Sequence, residues 1–270
     1  MKNIKNISEK LKKELLSLRN SRNSIDGFTF NFLQNFYEHC ILIHSIIKLK
    51  VEKVVFNVAY RQYLVFLVSC WETFFRDLFV YIYSEDQSSL KKLVDKLGVS
   101  QQTHEDLEIT MPELLSKRFN FQNIYDLEEA YNFMWDGNFL KDICEMEKNI
   151  GIDGKITNFS LKSLFYDWHE LLCQAFAIRH NVVHDANYRI DPDIAFIQKV
   201  EAIFLLIPQI ASINVSIRYG FKITMLSNGE YNFPYIFSVN DILSDDWEIV
   251  PWKSILPFKA PAKEKTRLHD

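Results

Sequence analysis

The chain has 270 residues, 48% of them hydrophobic and 14% aromatic, with a formal net charge of −4. That length supports one large domain, or a domain with a small appendage, and seven Gly and seven Pro leave little material for a turn-rich all-β fold. The charge excludes a broadly cationic surface, so any nucleic-acid binding has to come from local clusters of Lys and Arg.

Along the chain, Ile4, Ile7, Leu11, Leu15 and Leu18 form one apolar helical stripe, predicting an amino-terminal helix that packs on the body. Lys2, Lys5, Lys10, Lys12, Lys13, Arg19 and Arg22 make this stretch basic; they read as a solvated face and as one local candidate for RNA contact. A polar spacer ending at Asp26-Gly27 precedes a second helix over about 30–49. A third, over about 57–83, is apolar nearly all round and belongs at the centre of a bundle. Its Ser69, Glu72 and Arg76 share one face, and buried charge is costly unless paired, so they should meet polar partners from another helix. The uncharged run 62–71 within it is too short for a bilayer, which needs about 20 apolar residues, so no membrane association is expected.

Further on, Gly98 should stop a helix begun near Ser88, and Thr110-Met111-Pro112-Glu113 reads as a capping box opening a helix to Arg118. Asp126-Leu127-Glu128-Glu129 reads as another, with a break at Asp136-Gly137 and a continuation over 138–149. Asp153-Gly154 marks a turn, Ser160 a cap, and 161–184 one amphipathic helix. Asp191-Pro192 opens the next helix, which Pro208 should kink or end. The stretch 222–239, centred on Asn228-Gly229, has the pattern of a β-hairpin, and 259–270 that of a loose tail. The expected organisation is therefore all-α: a helical domain over 1–216, with 1–50 as an amino-terminal extension, then a small β-rich appendage over 217–258 and the tail. Cys40, Cys70, Cys144 and Cys173 lie far apart without metal-ligand spacing, and no secretory signal precedes them, which predicts reduced, mostly buried thiols in a cytoplasmic protein.

The segment with most chemical content is Arg179-His180-Asn181-Val182-Val183-His184, at the carboxyl end of an otherwise apolar helix. His180 and His184 project from nearly one face, and the long Arg179 side chain lies one step round. Imidazole suits proton transfer near neutrality, and guanidinium offers a fork that matches a phosphate, so the set suits metal-free cleavage of a phosphodiester. Alternatively, Arg179 and His184 serve the last carbonyls and the negative end of the helix dipole. His180 and His184 could also ligate zinc, although no third ligand stands at close spacing apart from the adjacent Asp185. His39, His44, His104, His169 and His269 stand outside any such motif and are expected to be structural or exposed.

The run 177–185 resembles the Arg-polar-x3-His signature of HEPN domains, and 69–77 is similar to the Ser-x-x-Glu helix of many bacterial HEPN proteins. The resemblance covers mainly residues 58–80 and 161–190. It implies an antiparallel helical bundle that pairs as a homodimer and joins two Arg-x4-His motifs over one cleft. It further implies a ribonuclease that needs no metal and no cofactor, used as a toxin or in antiviral defence such as abortive infection, with RNA as substrate. An antitoxin or other regulatory partner would accompany it. Arg179 and His184 would be catalytic, with His180, Asn181, Glu72 and Arg76 supporting them or positioning substrate. Other members of the family have lost catalysis and bind a partner protein or RNA, which is the alternative reading, with the basic amino-terminal helix or the carboxyl-terminal hairpin as the binding element.

Overall fold

The computed structural model describes residues 9–22, 24–99, 109–152, 155–185, 187–191 and 193–221. The expectations on 1–8, Asp153-Gly154, Pro192, the hairpin at 222–239 and the tail at 259–270 lie outside them. The described residues are predominantly helical, as expected.

Helix α1 (Glu9–Leu18) continues into a 3-10 turn, Arg19–Arg22. Helix α2 (Ile25–Lys48) starts earlier than its apolar spacing suggests, because the Ser24 hydroxyl accepts the Gly27 N–H and so satisfies one of the first-turn donors. Asp26-Gly27 is thus the first turn of a helix and not the end of a spacer, and Ile25 and Phe28 on that turn are buried. Helix α3 (Lys53–Glu85) is the central element, with Trp71, Phe74, Phe75 and Phe79 almost fully buried. Asp86 ends it and, through its carboxylate, caps α4 (Gln87–Leu97), which Gly98 closes in the left-handed conformation at φ 61°.

The Thr110–Glu113 capping box is present and opens α5 (Met111–Leu115), which stops short of Arg118. Asp126 does not open the next helix. Asn123 caps α6 (Ile124–Tyr131), while the Asp126 carboxylate accepts the Asn120 N–H and Glu128 reaches forward to the Leu140 N–H. After a non-helical stretch, α7 (Phe139–Glu145) ends before Asn149. The expected continuation to 149 fails because the backbone there is extended: β1 (Lys148–Ile152) pairs antiparallel with β2 (Lys155–Phe159), Lys148 opposite Phe159 and Ile152 opposite Lys155. The strands and the helices fall into separate compact units.

Ser160 caps as expected, but the single helix read over 161–184 is two. Helix α8 (Leu161–Leu164) stops where Phe165 turns extended, and α9 (Trp168–His184) follows, its first N–H bonded back to the Phe165 carbonyl at 3.1 Å. Leu161, Leu164, Trp168 and Leu171 keep helical phase across the interruption, so spacing alone could not reveal it. Helix α10 (Ile194–Tyr219) is capped by Asp193 and not by Asp191, and it runs through Pro208 without ending there. Proline removes one backbone donor, and beside it the Gln209 amide donates to the Leu205 carbonyl at 2.7 Å. Among the described helices, α10 alone is long and apolar enough to cross a bilayer, yet 89% of its most apolar window is buried within the protein, which is the setting of a core helix.

In the helical unit, α2, α9 and α10 surround α3. Trp71 lies edge-on to Phe176 at 5.8 Å and close to Phe204 at 5.1 Å, joining α3, α9 and α10. Three of the four free cysteines are buried, with Cys173 exposed. Two buried ionic contacts escaped the sequence. Arg22 donates to Asp77 at 2.5 Å; burial pushes the Asp77 carboxyl up and the guanidinium pulls it back only in part. Glu201 accepts from Tyr63 at 2.6 Å and meets His44 at 3.0 Å, while Cys40 adjoins the same phenol at 2.7 Å.

Glu113, only 2% exposed, yields a pH prediction. Burial alone would raise its pKa, but bonds from Arg19 and from the Thr110 N–H outweigh that and hold it below the ordinary Glu value. A depressed folded pKa means the contribution is present above the unfolded value of about 4.3 and is lost as pH falls through the folded one. Between about pH 5 and 3, the Tm of the native chain is therefore expected to fall more steeply than that of Glu113→Gln. Parallel Tm curves for the two proteins would refute this.

Candidate functional site

The last turns of α9 carry the residues singled out above. The helix is anchored by Leu171, Leu172, Ala175 and Phe176, all buried against the bundle, so its carboxyl end is held while its outer face stays open. Asp185 closes the helix through its N–H on the Asn181 carbonyl at 2.8 Å. Two further bonds, from the Asn187 N–H to the Asp185 carboxylate (2.8 Å) and from the Tyr188 N–H to the Asp185 carbonyl (3.0 Å), fold the chain back after it.

His180 and His184 are exposed, and their rings lie 4.6 Å apart with planes at 48°, so the i, i+4 spacing does bring them together. Arg179 and Asn181 are half-buried. The Arg179 Nε is fully buried and has no hydrogen-bond partner, and among the described residues its guanidinium makes no ion pair. Neither Arg179 nor His184 has a hydrogen bond to the last carbonyls of α9 among the described residues, while His184 stands in the last turn, at the negative end of the helix dipole. An unpartnered buried guanidinium nitrogen is costly, and the Arg22 terminal nitrogens and the Arg76 Nε share that condition.

The supporting residues on α3 are placed differently. Glu72 pairs with Arg76 and also accepts from the Gln122 amide. Arg76 lies over the Phe121 ring at 5.7 Å, and Ser69 donates to the Val65 carbonyl of its own helix at 2.9 Å. The polar stripe therefore finds hydrogen-bond partners within α3 and in the 120–123 connection, and Arg76 also acts electrostatically on Glu14 of another helix, α1. Glu72 makes no bond to Arg179, His180 or His184 among the described residues, so both of its oxygens are engaged away from them. Arg76 is likewise engaged with Glu72. A separate cleft of about 220 Å³ opens between α2 and α3, lined by Asn31, Asn35, Thr73 and four Phe rings, and none of the α9 residues faces it.

One residue without any motif is brought to this end. Arg61 of α3 donates to the Tyr188 carbonyl at 3.0 Å, because α3 and α9 run antiparallel: Trp71 meets Phe176, and ten residues earlier Arg61 meets the chain just past His184. Nothing local in the sequence around Arg61 signals this; only the pairing of two helices 127 residues apart produces it. Among the described residues no three His, Cys, Asp or Glu side chains converge as a metal would require. The α9 end can thus offer two solvent-facing imidazoles for proton transfer beside an unneutralised guanidinium fork. No protein-family model, curated protein or solved structure matches the chain.

Proposed function

We propose that the chain is a metal-independent endoribonuclease of the HEPN type. It acts in the cytoplasm as a homodimer whose two α9 ends meet over one cleft, and serves as a toxin or antiviral-defence effector under an antitoxin or regulatory partner. The observation that carries this reading is the half-buried Arg179, its Nε buried and unpartnered, one residue from a pair of adjoining exposed imidazoles. In the proposed reaction the 2′-hydroxyl of the RNA attacks the neighbouring phosphorus. The 2′-O–P bond forms as the P–O5′ bond breaks, and the proton lost from the 2′-oxygen is matched by one gained at the 5′-oxygen. His184 moves protons, Arg179 holds the phosphate and its developing charge, and His180 and Asn181 position substrate. Glu72 and Arg76 act only at a distance, by fixing α3.

A second reading, an HEPN-like module without catalysis that binds a partner protein or RNA, is favoured by a different feature. Leu42, Leu49 and Val54, at the carboxyl end of α2 and the start of α3, are 58%, 73% and 70% exposed, an apolar surface of the kind partners cover.

Incubation of the purified chain with labelled total RNA, with and without a strong chelator, tests the enzyme. Equal cleavage in both, with 2′,3′-cyclic phosphate ends and matched DNA left intact, is expected. Cleavage abolished by the chelator, or efficient cutting of DNA, would overturn the mechanism.

A further inference from the structure

The cleft between α2 and α3 combines an aromatic lining with one acid that the bundle does not fully engage. Phe28 and Phe32 each stand beside Phe74, with ring centres 5.7 and 5.4 Å apart and planes at 68° and 59°. Such steeply inclined rings present both faces and edges to a further flat ring. Asp77 also lines the cleft, although it is only 4% exposed. Its Oδ1 accepts the Arg22 Nε, and its Oδ2 has no hydrogen bond among the described residues. The Arg22 terminal nitrogens are buried and unpartnered as well, so the protein's own groups leave this pair incomplete. Asn31 and Asn35 stand one turn apart on α2, exposed and without a side-chain hydrogen bond among the described residues, and Thr73 of α3 is exposed on the same lining.

Charge narrows what fits. Arg22 and, more weakly, Arg76 already act on the Asp77 carboxylate, so a cationic ligand would leave positive charge in excess beside a buried pair. An anion would meet Asp77, which alone among the lining residues is charged. An uncharged N–H donor is the group that the free oxygen accepts. The volume of about 220 Å³ lies below the 300–1,000 Å³ of sites for larger ligands, which limits the occupant to one small ring system.

We propose that this cleft binds a small, uncharged, planar heterocycle, which donates an N–H to Asp77 Oδ2 and packs on the phenylalanine rings, with the Asn31 and Asn35 amides meeting polar atoms at its rim. Amino-substituted purines and pyrimidines have this chemistry, as free bases or as the end base of an RNA strand. None of the α9 residues lines the cleft, and its occupation does not depend on the RNA-cleaving reading. The competing account is a simple gap between two helices, which would take any apolar molecule of the right size.

The test titrates the full chain against free 2-aminopurine, whose fluorescence falls when its ring stacks on others. A Kd on the order of 0.1 mM is expected for so small a ligand. Toluene, which has no polar group, and caffeine, a flat bicycle without an N–H, should each compete at least about tenfold more weakly, the factor that a buried hydrogen bond to a charged acceptor supplies. Thr73→Trp, which places a bulky ring at the exposed lip, should weaken 2-aminopurine binding by about tenfold or more while the Tm stays unchanged. Arg22→Met/Asp77→Leu, which removes the acceptor together with its partner, should abolish the preference over toluene. The same ring at the 3′ end of a short RNA separates the two sources: affinity equal to that of the free base identifies a strand end as an occupant, and weaker binding identifies the free base, each sustaining the site. Toluene competing as well as 2-aminopurine itself, or Thr73→Trp binding with native affinity, would overturn it. So would a dimer that Thr73→Trp dissociates and that binds no ring, because the cleft would then be an interface between copies.

Discussion

Replacing His184 by Ala is expected to lower RNA cleavage by about 10²- to 10⁴-fold, the usual contribution of a positioned proton-transfer group. The fold should be untouched, because His184 is exposed and makes no hydrogen bond among the described residues. The far-ultraviolet spectrum and the Tm should therefore match those of the native chain. Arg179→Ala should lose activity on a similar scale, and Arg179→Lys should recover little of it, since an ammonium lacks the planar fork that matches a phosphate. Combining the two substitutions should cost far less than the product of the single losses, as groups acting on one transition state are not additive. A His184→Ala protein that cleaves at the native rate would leave only the binding-module reading.

Glu201→Ala is expected to be the most damaging single substitution for stability, costing about 3–5 kcal/mol. Glu201 is 2% exposed and answers two buried donors at once, the Tyr63 hydroxyl and the His44 ring. Truncating it removes a buried acceptor from both in the interior between α2, α3 and α10 and leaves a cavity besides. The loss belongs to the two donors deprived of this acceptor more than to the carboxylate itself. The triple change His44→Leu/Tyr63→Phe/Glu201→Met, which removes the carboxylate together with both of its donors, should accordingly regain most of what Glu201→Ala loses. Urea unfolding of the three proteins measures this. A triple variant no more stable than Glu201→Ala would show that the network contributes net stability of its own.

Much of this protein is legible one segment at a time. The near-continuous apolar surface of α3, the Thr110–Glu113 box, the Ser160 cap, the Gly98 stop and the i, i+4 placement of His180 and His184 all follow from local rules. Caps and helical phase involve residues within one or two turns of each other, so the chain specifies them before any distant pairing forms. The same locality explains the errors. Asp126 resembles a cap because its own neighbours suit one, but the helix starts at Ile124, which leaves Asn123 at the cap and Asp126 within the first turn. Pro208 suggests a kink or a stop because proline breaks an isolated helix; the stop does not occur, since α10 is buried on nearly every side and packing carries the helix on to Tyr219.

What the amino-acid sequence determined alone was the helical class, the central helix and the cluster of Arg179, His180 and His184 on one helix end. What tertiary structure decided was who partners whom. Glu72 turned to Gln122 besides the Arg76 one turn along its own helix, Asp77 received Arg22, Glu201 gathered His44 and Tyr63, and Arg61 arrived beside the end of α9. Burial makes each of those polar groups seek a partner, but its identity depends on which helices lie side by side. Residues 55, 127, 138 and 157 positions apart in sequence become neighbours only when they do.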